Sequence, residues 1–459
     1  MNRKFQLVLI SICAFVLAGL LVLAAGSQSP AYSAGTTIKV PDDYSTIQAA
    51  INAASGGDTI MVKSGTYNEN LSITEGITLT GGWDASFVAQ TPGDSVIDGQ
   101  GAGRVISITC ATSDTVVTVD GFTIANGDAS GLGPPTLPES PQASSLLSAV
   151  KLESGSDSLS DRLAALQASA ADLEARGLYP GGQAAYQAAL ARLDKLTGRA
   201  LNSQNQPAGV NAPAVSADAG GGIYSWNASL HLSNSTIEWN TASQANNGYG
   251  GGVFVGQAAP YGTVIANNLI QFNTASVEAN GNGGGVYLYQ TPGALVEENQ
   301  FRDNVASQSG DVGVGGGLNV DDSQDVWVDD NLLTRNTAQA GWACPAQGGG
   351  GIGGGAQFHS VRYLTITNNI LRSNLGALHC GSSGGGLHVY IAEDVNISDN
   401  QVVDNWGVLF QVYTDDYGGG MSLETVNGIK VEGNEVRGNT TGMSSLPSGI
   451  QVSYGGGIF

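Results

Sequence analysis

Gly283-Gly-Gly-Val-Tyr-Leu-Tyr289, with Phe301-Arg-Asp-Asn304 downstream, is the stretch that decides the fold. The triple glycine followed by an apolar residue starts at Gly220, Gly250, Gly283, Gly315, Gly353, Gly384, Gly418 and Gly455. Successive starts lie 30, 33, 32, 38, 31, 34 and 37 residues apart. Self-similarity at that period marks a solenoid, in which each repeat is one coil that buries its apolar face against its neighbours.

The second phrase is apolar-x-x-Asn, as in Ile270/Asn273, Phe301/Asn304, Leu333/Asn336 and Leu371/Asn374. Six of seven repeats place another Asn two residues before the apolar position: Asn268, Asn299, Asn331, Asn369, Asn400 and Asn434. From the last glycine to the apolar position is 16 residues in five repeats, and 15 and 18 in the others. From the Asn to the next glycine run the distance varies from 10 to 17, so that arc holds the loops. Apolar residues alternate around the glycines, as in Val286-Tyr-Leu288, which is strand periodicity. Short strands in a 30-odd-residue repeat predict a coil of a parallel β-helix, with aligned Asn side chains stacked along the axis and glycines at tight corners.

These phrases resemble the repeats of chlamydial polymorphic outer membrane proteins. More broadly they are similar to right-handed parallel β-helix proteins of the pectin-lyase-like superfamily. The opening Ile38-Lys-Val-Pro-Asp-Asp-Tyr-Ser-Thr-Ile-Gln-Ala-Ala-Ile51 resembles the start of many secreted bacterial β-helices. The expected fold is an all-β solenoid, a right-handed parallel β-helix with an N-terminal capping helix and an inserted helical hairpin. The capping helix is read at Thr46–Ala54, with Ile47, Ala50, Ile51 and Ala54 on one face.

The expected organisation has four parts. Residues 1–34, with Arg3-Lys4 ahead of an apolar run, read as a signal peptide or N-terminal anchor. Residues 35–127 hold the cap and first coils. Residues 128–217 hold a linker and an α-helical hairpin, Leu159–Arg176 and Gln183–Leu201, rich in Ala and Leu. Residues 218–459 hold the β-helix repeats, which stop inside the strand of the eighth repeat and so suggest a C-terminal truncation. Cys344 and Cys380 lie in corresponding loops of adjacent coils, and in an exported protein they are expected to form a disulfide. Cys110 is left over and is expected to be buried.

With 39 Asp+Glu against 17 Lys+Arg, the net charge of −22 argues against nucleic acid and against polybasic membrane binding. Membrane attachment is left to an uncleaved N-terminal segment or a missing C-terminal anchor. No residue is assigned to a metal, although the acidity suits calcium.

If the strands alternate, positions two and four after each glycine run point outward and align across coils. One end of those columns is aromatic: Tyr224, Trp226, Phe254, Tyr287 and Tyr289, with Tyr390 further along. The other end carries Asp321, His359, His388 and Glu424, the candidate catalytic group. Pectin-lyase-like enzymes bind polysaccharide along the equivalent face, so the resemblance implies a ligand surface here. The chain lacks the Asn-Thr-Asp, Gly-His-Gly and Arg-Ile-Lys set of polygalacturonases, of which Gly428-Ile-Lys430 is a partial echo. No catalytic signature is complete. The reading is an exported extracellular or cell-surface protein that binds an extended ligand, foremost polysaccharide, or acts in adhesion. A polysaccharide lyase or glycoside hydrolase is the alternative, and a structural spacer the second alternative.

Overall fold

The computed structural model describes residues 35–133, 217–260, 262–341, 350–379, 381–409, 416–442 and 453–459. The expected signal or anchor, the helical hairpin and the Cys344–Cys380 pair lie outside the described residues. Cys110 is described, and it is free and buried, as expected.

One coil shows how the sequence makes the solenoid. Starting at Gly283 the chain forms strands Val286–Tyr289, Leu295–Glu297, Gln300–Arg302, Val305–Ser307 and Val312–Val314. Each pairs in parallel with its counterpart in the next coil, residue for residue: Val286 with Leu318, Phe301 with Leu333, Val314 with Ile352. Val286, Leu288, Val296 and Phe301 point inward and are fully buried. Their equivalents continue one apolar column from Val40 to Met421. Each such side chain contributes roughly 1.5–3 kcal/mol relative to exposure.

The coil bends where single residues take the left-handed conformation. The first glycine of each run is one such corner (Gly283, φ 64°). Others recur at Gln257, Gln290, Asp322 and Ser360, at Asn267, Glu298, Asp330 and Asn368, and at Phe272, Asp303, Arg335 and Ser373. Most of these corners use residues other than glycine, which the repeat pattern did not reveal. The second and third glycines have a different reason. A Cβ on Gly284 would lie 2.4 Å from the Gly316 carbonyl oxygen of the next coil, and one on Gly285 would lie 3.1 Å from the Asn304 amide. The triple glycine is thus one turn followed by two close backbone approaches.

The two Asn columns are buried amide ladders. Asn336 Oδ1 accepts from the Asn304 backbone N–H at 3.1 Å and from Asn304 Nδ2 at 3.0 Å. Asn336 Nδ2 donates to Asn374 Oδ1 at 3.1 Å and back to the Phe301 carbonyl at 3.0 Å. The pattern repeats from Asn240 to Asn439, and a second ladder runs from Asn268 to Asn434.

The arc between Asn and glycine forms an arm. An outgoing strand (Val305–Ser307) and a returning strand (Val312–Val314) build a 6-stranded and an 8-stranded sheet that pack on each other. The returning strand carries a glycine two residues ahead of the run (Gly248, Gly281, Gly313, Gly351). A Cβ on Gly313 would lie 1.8 Å from the Ala338 carbonyl oxygen in the outgoing strand of the next coil.

The capping helix spans Ile47–Ala53, with Thr46 as N-cap and Ile47, Ala50 and Ile51 buried. Glu69 accepts the N–H groups of Ile47 and Gln48, each at 2.9 Å, a carboxylate at the positive end of the helix. At the insertion the coils stack without a break: Ile106–Thr109 pairs with Ile223–Trp226, and Phe122–Ala125 with Thr236–Glu238.

The ladder makes a direct prediction. Asn336→Leu keeps the branched side-chain skeleton but strands the Asn304 donors and the Phe301 carbonyl, which should cost about 3 kcal/mol or more. Chemical denaturation should show the loss; an unchanged midpoint would mean that the ladder does not stabilise the coils.

Candidate functional site

The strand after each glycine run carries the two outward columns in the expected register. Tyr224 aligns with Phe254, Tyr287, Asn319, Gln357, His388 and Ser422. Tyr289 aligns with Asp321, His359, Tyr390 and Glu424. Their exposure corrects the sequence reading. Tyr224, Phe254, Tyr287 and Tyr289 are buried, as are His359 and His388, while Trp226 and Tyr390 are half-buried. The cause is the arm, whose returning strand folds back over this face. Ala219 and Tyr249 from that strand join Tyr224, Phe254, Tyr287 and Tyr289 in a second apolar cluster. Tyr224 stacks on Phe254 at 5.3 Å and Tyr249 meets Tyr287 at 5.5 Å. Burial pushes the Tyr224 hydroxyl up to about 12, against the opposing pull of the Arg104 guanidinium 4.3 Å over its ring. The aromatic columns are interior packing rather than an open sugar platform.

The polar end of the same layer brings the four candidate residues together in two pairs. His359 Nδ1 lies 2.6 Å from Asp321 Oδ1, and the Tyr287 hydroxyl donates to Asp321 Oδ2 at 3.2 Å. His388 Nε2 lies 3.2 Å from Glu424 Oε1, which also accepts from the Ser422 hydroxyl at 2.9 Å. Tyr390 stacks against both imidazoles, 5.5 Å from His359 of the neighbouring coil and 6.0 Å from His388 on its own strand. Asp321 and Glu424 are separated by three coil steps, about 14 Å at the usual strand spacing. A glycosidase needs its carboxyl pair at roughly 5–9.5 Å. These two carboxylates therefore cannot flank one glycosidic bond. Beside them, Asn319 Oδ1, both amide atoms of Gln357 and His388 Nδ1 are buried with no hydrogen-bond partner among the described residues.

Asp321 and its neighbour Asp322 face opposite ways. Asp321 lies under the arm, whereas Asp322, at the corner, lines an open groove of about 950 Å³ with corner residues from seven coils. One corner residue per coil forms the first wall: Asn227, Gln257, Gln290, Asp322, Ser360, Ile391 and Thr425. Pro292, Gln324, Arg362, Glu393 and Asn427 form the other, over a floor that includes Ala258, Ser323, Val361 and Ala392. Gln257 donates to Gln290 at 3.4 Å and Gln290 to Asp322 at 2.6 Å, so side-chain contacts link three successive coils of this wall. Arg362 is held by Glu393 at 2.9 Å. Trp327 and Tyr363 stand exposed on the strands that begin at Gln324 and Arg362. The sequence reading missed this groove, because it searched strand positions and the groove is built from corners.

Among the described residues no three His, Cys, Asp or Glu side chains are grouped to hold a metal ion, so no calcium site is placed. Among them also, no helix is long and apolar enough to cross a membrane.

The family model for the "right handed beta helix region" matches residues 221–458. The chain belongs to this family. No curated protein matches it. Among solved structures, this right-handed β-helix is similar to the mannuronan C-5 epimerase AlgE4 A-module of Azotobacter vinelandii, with 15% identity over 92% of this chain and 93% of that one, TM-score 0.24. It is also similar to a polygalacturonase from Erwinia carotovora ssp. carotovora, with 14% identity over 90% of this chain and 96% of that one, TM-score 0.23. Likenesses this slight carry neither protein's chemistry over.

Burial pushes the Glu424 carboxyl up, but hydrogen bonds from His388, Ser422 and Ser383 outweigh it and leave the group below the ordinary carboxylate range. A folded-state value below the unfolded one stabilises the fold fully above the unfolded value, and that contribution is lost as pH falls through the folded one. Denaturation of wild type and Glu424→Gln from neutral to acid pH should therefore show a steeper acid loss in wild type. Parallel curves would place no linkage at this carboxylate.

Proposed function

We propose that the protein binds an extended, uncharged polysaccharide in the corner groove, outside the cell or at its surface. The observation that carries this reading is the groove itself, parallel to the axis, with one corner residue per coil over seven coils. Strands stack at about 4.8 Å, so a chain of sugar units laid along the axis meets a repeating set of hydrogen-bonding groups. Amides and hydroxyls such as Asn227, Gln257, Gln290, Gln324 and Thr425 donate to and accept from sugar hydroxyls. Tyr363 and Trp327, exposed on the strands that begin at the groove residues Arg362 and Gln324, offer apolar ring faces.

Charge narrows the ligand. Among its described lining residues the groove holds Asp322, Glu393 and Arg362, and that cation is already paired. A polyuronate would bring a carboxylate on every sugar into a groove with no unpaired base among its described residues, on a molecule of net charge −22. An uncharged chain meets no such repulsion. The apolar N-terminal run supports export, and adhesion would be the same contact made to a glycan-coated surface.

Calorimetric titration with soluble neutral glucans, mannans and xylans should find a binder whose affinity hardly changes with salt, while polygalacturonate and alginate bind far more weakly. Tyr363→Asn, which keeps a residue tolerant of the φ of 56° there, should weaken the neutral ligand by about tenfold, ~1.4 kcal/mol. Failure of every polysaccharide to bind would sink the reading.

A further inference from the structure

We propose that Ser360, His359 and Asp321 act as nucleophile, base and positioning residue in the hydrolysis of an ester presented in the groove. Ser360 Oγ lies 3.3 Å from His359 Nε2, and His359 Nδ1 lies 2.6 Å from Asp321 Oδ1. The half-buried Asp321 carboxylate on Nδ1 keeps the proton on that nitrogen and leaves Nε2 as the acceptor for the serine proton. Asp321 is itself oriented by the Tyr287 hydroxyl, and the imidazole by its stack on Tyr390. A contact of 3.3 Å falls within the looser range that such pairs show before substrate is bound.

The corner explains why two adjacent residues can divide the work. Ser360 has φ 52°, so the chain turns between it and His359. His359 therefore stays buried beneath the arm while Ser360 lines the groove. A non-glycine residue in this conformation is locally strained. The neighbouring coils carry Asp322 after Asp321 and Ile391 after Tyr390 at the same step, so of these three coils this one alone sets a hydroxyl beside an imidazole.

A donor for the developing oxyanion is at hand. Two coils earlier, the equivalent Thr291 N–H donates to Ser323 Oγ at 3.0 Å. Beyond Val361, the residue in Ser323's place is Ala392, which offers no acceptor. The Val361 N–H, directly after the nucleophile, thus lacks the partner that occupies its counterpart, and it is suited to a carbonyl oxygen that gains charge. Val361, Ile391 and Ala392 make this part of the groove apolar, which fits a short acyl group.

The reaction balances without a cofactor. Ser360 Oγ bonds to the ester carbonyl carbon as His359 Nε2 takes its proton. The carbon–oxygen bond to the alcohol then breaks, and the imidazolium returns the proton to the departing oxygen. Water attacks the acyl-serine, giving up a proton through His359, and Ser360 leaves with its hydroxyl restored. The products are an alcohol and a carboxylic acid. The substrate class is an acyl ester of a sugar hydroxyl; the sugar part rests on the groove reading above, the ester chemistry does not.

The full chain should be treated with a fluorophosphonate probe and assayed on 4-nitrophenyl acetate and on an acetylated neutral polysaccharide. One adduct per chain, mapped to Ser360 by peptide mass, and acetate release from both esters are expected. Ser360→Gly, which suits the positive φ, should lose label and turnover by about a thousandfold or more. Asp321→Asn should lower kcat with KM unchanged. Absence of an adduct at Ser360 in folded wild type, or equal turnover by Ser360→Gly, overturns the proposal. Turnover of the small ester with no binding or release from the polymer keeps the triad and refutes the polysaccharide reading.

Discussion

The structure depends on the buried amide stack. Each Asn inside the ladder joins three coils: its oxygen accepts from the coil before, and its nitrogen reaches both onward and back. A buried amide left unpaired costs about 1–3 kcal/mol per group, so a slip of one coil against the next would unpair several at once. In the runs from Gly220 to Gly418 the third glycine lies against the same amide, and a methyl there would crowd it. The two sequence phrases, some 16 residues apart, are therefore one contact read at its two ends. That contact sets the register on which every outer column is built.

The arm sets where chemistry can happen. By folding over the strand that follows the glycines, it turns an exposed face into a second interior, apolar at Tyr224, Phe254 and Tyr287 and polar at His359 and His388. The half-buried carboxylates Asp321 and Glu424 there are oriented by hydroxyl and imidazole donors. The accessible surface moves to the corner, where left-handed residues present amides, hydroxyls and Asp322 in a row. Ser360 and His359 belong to the groove and the inner layer in turn, and their hydrogen bond joins the two.

Much of this was legible in the residues. The period, the inward alternation of Val286 and Leu288, the Asn stacks and the capping helix after Thr46 all follow from local pattern, and all are found. The columns were aligned correctly and misjudged in exposure. The signal that could have corrected them was present: a glycine two residues ahead of the run at Gly248, Gly281, Gly313 and Gly351 marks a strand packed closely on another strand. The corners were not legible. Left-handed φ is taken by Gln, Asp, Ser and Ile in successive coils, with no shared residue type to read.

By itself, then, the sequence determined the repeat, the coil register and the identity of the core, because these follow from side-chain period and from amides that must pair with their own kind. Only the tertiary structure decided which of the outward residues meet solvent. That choice belongs to the arm, whose returning strand covers residues of its own and neighbouring coils. It also decided that Asp321 faces inward and Asp322 outward, because a single positive φ between strands reverses the side on which the next residue stands.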